Sequence, residues 1–274
     1  MEELLQHPAV QSGVAPFLAA LVVVAALQFV RLGGLAAVAA FCVAVFLISG
    51  FAFSPLTATR KIVLLGLVAP VVGVLVDFAF KPTRLGQVVL ALAAGAASAW
   101  AFMSVLQQKD LTQALLIGGG SAAFVAWLVG FGLAQAEQPV RAGAMGLGLG
   151  LGGGVAAILG ASALYGSYAL ALGAGSAAFL LWQVVTGKRI RAGATFMLSV
   201  TLTAGLLLAG TMVLAQLPWY SLAAFALLPL ATRLPVPERA PVFVQATVAS
   251  TYALVVAAGA CALAWQSSGG MPGS

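Results

Sequence analysis

Asp77 is the one carboxylate set inside a long apolar run, Ile62–Phe80. An ionisable group at membrane depth is costly and is a functional hypothesis in its own right, so Asp77 is a candidate proton or cation site. The same residue has a structural reading. It lies about one turn from the end of its run, with Lys81 four residues on and Arg84 seven residues on. An acid followed by a base at that spacing shares one helical face and can pair at the interface. Pro70, two turns earlier, would free a backbone carbonyl and kink the helix.

Thr195, Ser199 and Thr203 recur every four residues and so form a polar stripe on one helix, with Thr201 and Thr211 nearby. Gln245 and Tyr252 share a face seven residues apart, beside Ser250 and Thr251. Together with Asp77 these are the candidate solute or ion site: the stripes could border a cavity for an uncharged polar solute. They could equally join helices, because hydroxyls in a helix can bond their own preceding carbonyls and polar side chains bridge helices in lipid. Arg60 and Lys61, with Thr57 and Thr59 close by, are candidates for an anion or lipid-headgroup contact. Long basic side chains at a helix end also serve as interfacial anchors.

The run Met145–Gly154 alternates glycine and leucine before three consecutive glycines. Its G-x-G-x-x-G spacing is no dinucleotide loop, because that motif works only between a strand and a helix start, and here it lies inside an apolar run. Gly146, Gly150 and Gly154 instead fall on one helical face. Gly118 and Gly130 close a similar face with Ala122 and Ala126, and Gly173 another with Ala169 and Ala177. Small residues let backbones approach closely in lipid, where apolar burial does not drive association. Close packing of the fifth, sixth and seventh spans is therefore expected; a sliding or hinge surface is the sharper reading of the same glycines.

Other chemistry lacks its residues. His7 is the only histidine, and it stands near the start of the chain; no H-E-x-x-H, Cys cluster or Walker loop occurs. Cys42 and Cys261 both lie within apolar runs and read as small buried hydrophobes. Serines without an intramembrane histidine lack the usual base. The chain is therefore expected not to be an enzyme and to use no cofactor and no metal.

The elements that must position these residues are long and apolar. Hydrophobic residues make up 62% of the 274 and charged residues 7%, with mean hydropathy +1.11. A soluble domain carries about 25% charged residues; this chain could not coat a water-facing surface. A helix needs about 20 apolar residues to cross a bilayer, and such runs recur at Gly13–Val30, Gly34–Phe53, Ile62–Phe80, Gly86–Leu106 and Leu111–Ala134. They continue at Ala142–Ser162, Ser167–Thr186, Ala192–Ala215, Trp219–Thr232 and Val242–Trp265. The runs do not alternate as barrel strands do. The expected fold is an all-α polytopic membrane bundle of about ten helices, one domain over residues 13–265 between short tails, 1–12 and 266–274. The ninth run is the shortest and contains Pro229, so it reads either as a full crossing or as a re-entrant segment. The segment before Gly13 is acidic rather than basic, and the first run is expected to remain as a helix. Residues 61–106 match 141–186 in several glycines and in Leu90–Ala97 against Leu170–Ala177, the weak signature of an inverted repeat.

Orientation follows from the basic residues. With the amino terminus outside, the inner face receives Arg31, Lys81, Arg84, Arg141, Lys188, Arg189, Arg191, Arg233 and Arg239. The outer face receives Arg60, Lys61 and Lys109. That asymmetry obeys the positive-inside rule and places both termini outside. It also accounts for the +6 charge without nucleic acid as a partner. The partners expected are the bilayer, other membrane subunits or further copies of the chain, in a cell membrane of the bacterial inner-membrane type. Two functions fit: a transporter of a small uncharged, amphipathic or lipid-like solute, or a non-catalytic subunit that docks other membrane proteins.

Overall fold

A computed structural model describes residues 7–79, 83–237 and 239–267. Among these residues every regular element is helical. Eight helices are long and apolar enough to cross a membrane: α1 (Val10–Val30), α3 (Ala58–Ala79), α4 (Arg84–Leu106), α5 (Leu111–Leu133), α6 (Pro139–Leu159), α7 (Ala163–Thr186), α8 (Gly193–Leu214) and α10 (Val242–Ser267). Two shorter apolar helices, α2 (Gly33–Ile48) and α9 (Trp219–Ala231), complete the chain. The protein is thus a multi-pass membrane protein.

Local chemistry sets most boundaries. Thr83, Asp110 and Ser162 each cap a helix, accepting from the amides of Gly86 (3.0 Å), Gln113 (2.8 Å) and Tyr165 (3.4 Å), which satisfies donors left over in the first turn. Pro139 opens α6, and Gly187, at φ 65°, closes α7. The second helix is shorter than its apolar run. It stops at Ile48, because Gly50 takes φ 66° just beyond it, and Phe51 and Phe53 lie in the loop that follows. Arg60 and Lys61 fall within the first turn of α3 rather than in a linker.

The bundle is built around α8. Every residue from Gly193 to Thr211 is buried, and α3 and α5 pack along this helix from two sides. Peripheral pairings enclose it: α4 with α5, α1 with α2 and α7, α2 with α7, α6 with α7, and α10 with α6 and α9. The outer helices present large apolar side chains such as Val22, Phe46, Leu92 and Leu116 outward, which suits a lipid-facing surface. The extensive pairing of α6 with α7 has no equal between α3 and α4, so the packing does not repeat at the offset that the sequence suggests.

Hydrogen bonds tie the helix ends into two layers. At one end Ser49 meets Tyr168 (2.6 Å), Thr59 meets Tyr165 (2.8 Å) and the Gln216 amide donates to the Gly160 carbonyl (2.9 Å). At the other end Trp182 Nε1 donates to Gln28 Oε1 (3.0 Å), the Gly193 amide to the Ala136 carbonyl (3.1 Å), and Thr232 Oγ1 to Gln135 Oε1 (3.0 Å). The two pieces of α9, Trp219–Phe225 and Leu228–Ala231, lead from the Gln216 contact to the Thr232 contact.

Candidate functional site

The polar side chains converge on the second of these ends, around the start of α8. No side chain of its own segment caps this helix. Asp77, from the last turns of α3, supplies the cap from outside. Its carboxylate accepts from the Ala194 amide (2.8 Å), the Thr195 amide (2.8 Å) and Thr195 Oγ1 (2.6 Å). Three hydrogen bonds and the positive end of the helix dipole hold the charge there. Asp77 and Thr195, both members of the candidate solute or ion site, therefore meet as one unit. The Asp77–Lys81 pair expected from spacing lies outside the described residues.

Gly193 makes this approach possible. It adopts φ 66°, and a Cβ there would run into the Asp77 carboxylate. Both the backbone and the space call for glycine. Gly193→Ala is expected to lower stability by about 2 kcal/mol, combining a left-handed alanine with displacement of the cap. Thermal unfolding in detergent measures it; a melting temperature equal to that of the parent would contradict the packing described.

The rest of the stripe is bound internally only at Ser199. Ser199 Oγ donates to the Thr195 carbonyl (2.6 Å) and Thr201 Oγ1 to the Met197 carbonyl (2.6 Å), while the buried Thr203 Oγ1 has no partner. Tyr252 reaches the Pro235 carbonyl at 3.4 Å. Gln245 lies at the same bundle end but away from the stripe, where its Oε1 accepts from Arg189 (2.9 Å) and its Nε2 donates to the Ala240 carbonyl (2.8 Å). At the opposite end Arg60 donates to the Pro55 carbonyl (2.8 Å). Lys61 donates to the Trp100 carbonyl (3.2 Å) with its ammonium 4.9 Å from the Trp100 ring centre. Both basic side chains are thus engaged within the chain.

The glycines sort into two interfaces. Gly146, Gly150 and Gly154 face α7: a Cβ at Gly150 would strike the backbone of Gly173, one at Gly146 the Ser176 hydroxyl, and one at Gly154 Leu170 at 2.6 Å. Gly118 and Gly130 instead face α4, against Leu106 (2.8 Å) and Ala91 (3.3 Å). The expected trio of close-packed spans is therefore two separate pairs, α6 with α7 and α5 with α4. Within α6 the segment Gly148–Gly152 winds as a π-helix, a conformation that is rare and frequent at functional sites.

No protein-family model, curated protein or solved structure matches this chain. The site must be read from its own geometry.

That geometry includes two adjoining cavities, the smaller of which borders the Asp77 cap. The larger, about 690 Å³, is lined by Glu137, Arg141, Arg189, Arg191, Val236 and Gln245 among others. The second, about 540 Å³, is mainly apolar, with Val76, Val89, Leu90 and Leu133 beside Asp77 and Arg191. They share Glu137 and Arg191, which form an ion pair at 3.1 Å. Both volumes fall within the roughly 300–1,000 Å³ of typical ligand sites. Neither cavity borders Ser199, Thr203 or Tyr252. Arg141, Arg189 and Arg191 were legible only as topology signals and Glu137 not at all, since their chemistry depends on linkers meeting across the bundle end. Between the two cavity-lining arginines Arg189 and Arg191, Ile190 is buried near Gly33. Among the described residues no three His, Cys, Asp or Glu side chains gather.

Proposed function

We propose that this chain is a ten-crossing transporter of the cell membrane, of the bacterial inner-membrane type, which moves a small amphipathic or lipid-like solute without catalysing a reaction. The observation that carries this reading is the pair of cavities at one end of the bundle, one polar and one apolar, meeting at the Glu137–Arg191 pair. Their lining residues come from several helices and from the linkers that join them. The basic residues support an inner location for the cavity end, with both termini outside. The course of α9 between the two layers supports a full ninth crossing, and α2 the second, in addition to the eight long helices.

Reconstitution tests the reading. Vesicles containing the protein and a short-chain, fluorescently labelled phospholipid on one leaflet are expected to redistribute the label faster than empty vesicles, in proportion to protein content. Equal rates, with the protein folded and monodisperse, would exclude lipid-like cargo.

A second reading has its own support. Gly119 and Gly120 on α5 are exposed, and a Cβ on either would meet nothing within 4 Å, leaving small residues at which the backbone of another membrane protein could approach closely. Gentle purification that consistently recovers a stoichiometric partner would favour the docking subunit over the autonomous transporter.

A further inference from the structure

The α7–α8 linker presents Arg189 and Arg191 on one side, and α6 adds Arg141 from its first turn. Among the described residues that line the larger cavity, these three cations face a single carboxylate, Glu137. Each guanidinium offers five N–H donors, yet the bonds they make are few. Arg141 donates to the Arg233 carbonyl at 3.2 Å, Arg189 to Gln245 and Arg191 to Glu137. Arg191 Nε is buried without any partner. A buried donor on a charged group is costly to leave unsatisfied, and the guanidinium fork matches phosphate and carboxylate oxygens. Directly beyond the Glu137–Arg191 pair the lining turns mainly apolar, with Val76, Val89, Leu90 and Leu133 beside Asp77, whose carboxylate is taken up by the start of α8.

We propose that the two cavities form one binding site for an amphipathic anion, whose phosphate or carboxylate sits on Arg141, Arg189 and Arg191 and whose apolar part lies between α3, α4 and α5. This narrows the transport reading, on which it rests for its purpose, to cargo with an anionic head. Glu137 then acts as a stand-in for the ligand: it occupies one donor of Arg191 when the site is empty and must be displaced or tolerated when the anion arrives.

Binding measured without flux tests the site. In neutral-detergent micelles, dodecyl phosphate is expected to bind at least about tenfold more tightly than inorganic phosphate, which lacks the tail, and than dodecyl maltoside, which lacks the charge. Arg189→Gln with Arg191→Gln should weaken dodecyl phosphate about tenfold or more. Because that pair could disturb folding, Glu137→Gln provides the opposite sign: removing a repelling, largely exposed carboxylate should tighten dodecyl phosphate about threefold or more. Equal binding of the maltoside, or a Glu137→Gln protein that binds no more tightly, overturns the proposal. In nanodiscs, competition by added phosphatidylglycerol would identify a membrane lipid as the source of the head. Its failure to compete, with dodecyl phosphate still bound, would point to a soluble amphiphile. Flux without dodecyl phosphate binding would sink this site and spare the transporter; binding without flux would do the reverse.

Discussion

Gly150→Ala should destabilise the bundle by about 3 kcal/mol or more, the upper end of overpacking costs, and Gly150→Leu should abolish recovery of folded protein. A single methyl at this position would collide with the amide and Cα of Gly173. Backbone cannot swing aside as a side-chain tip does, so α6 and α7 must separate along much of their shared face. The effect should spread to Gly146 and Gly154, whose neighbours Ser176 and Leu170 lie on the same side of α7. Gly119→Ala is the matching control. The chemistry of the substitution is identical, nothing lies within 4 Å of the new methyl, and alanine favours the helix by about 1 kcal/mol. Melting curves should therefore move in opposite directions for the two variants. Similar losses in both would mean that glycine matters for backbone freedom and not for contact between helices.

The contrast shows what the sequence can and cannot carry. That the 146–150–154 face would meet another helix was legible from four-residue spacing alone. Which helix it meets was legible only in part: α7 was among the expected neighbours, but α5 turned its own small face to α4. Spacing reports which side of a helix is small; it holds nothing about which neighbour arrives there. Span lengths were read well where a cap marks the boundary, as at Asp110, whereas α6 opens at Pro139, three residues ahead of the expected start at Ala142. They were misjudged after Ile48, where apolar phenylalanines continue past a glycine that ends the helix.

Asp77→Ala is expected to cost about 3 kcal/mol, since it strips three charge-assisted hydrogen bonds from a helix start with no cap of its own. Asn should lie between, because its amide keeps one acceptor oxygen of the two. Thr195→Val removes only the hydroxyl bond and should cost about 1 kcal/mol. In the double variant the hydroxyl no longer has a carboxylate to meet, so the two losses should fall short of additive. Lys81→Ala provides the decisive comparison. Were the i+4 pair the main role of Asp77, that change would reproduce the loss seen in Asp77→Ala. A carboxylate engaged by α8 predicts a much smaller effect. Unfolding in mixed micelles, followed by circular dichroism, measures all of these on one scale.

The local pair was visible in the sequence because it is local. The partner that the structure supplies sits 117 positions away, beyond any periodicity argument. One clue did exist. Several helices begin at a Thr, Asp or Ser, whereas α8 begins at Ala192–Gly193 with no such residue. A buried helix start lacking its own cap needs an acceptor from elsewhere, and a lone carboxylate near the same membrane face is the natural source. The arginine-lined cavity had no comparable signal, since its walls come from segments that approach only when six or more helices are in place.

The separation between Asp77 and α8 also sets a schedule. During synthesis at about 5–20 residues per second, α3 waits roughly 6 to 23 seconds before the residues it caps emerge from the ribosome. Through that interval the carboxylate must stay near the membrane surface, where water can serve it. The helix that finally claims it is the one destined for the centre of the bundle. The seven preceding helices cannot close ranks early; they must hold an unfilled slot that the eighth enters late. Assembly of this protein is therefore most exposed to error during one short window, between the arrival of α7 and the docking of α8.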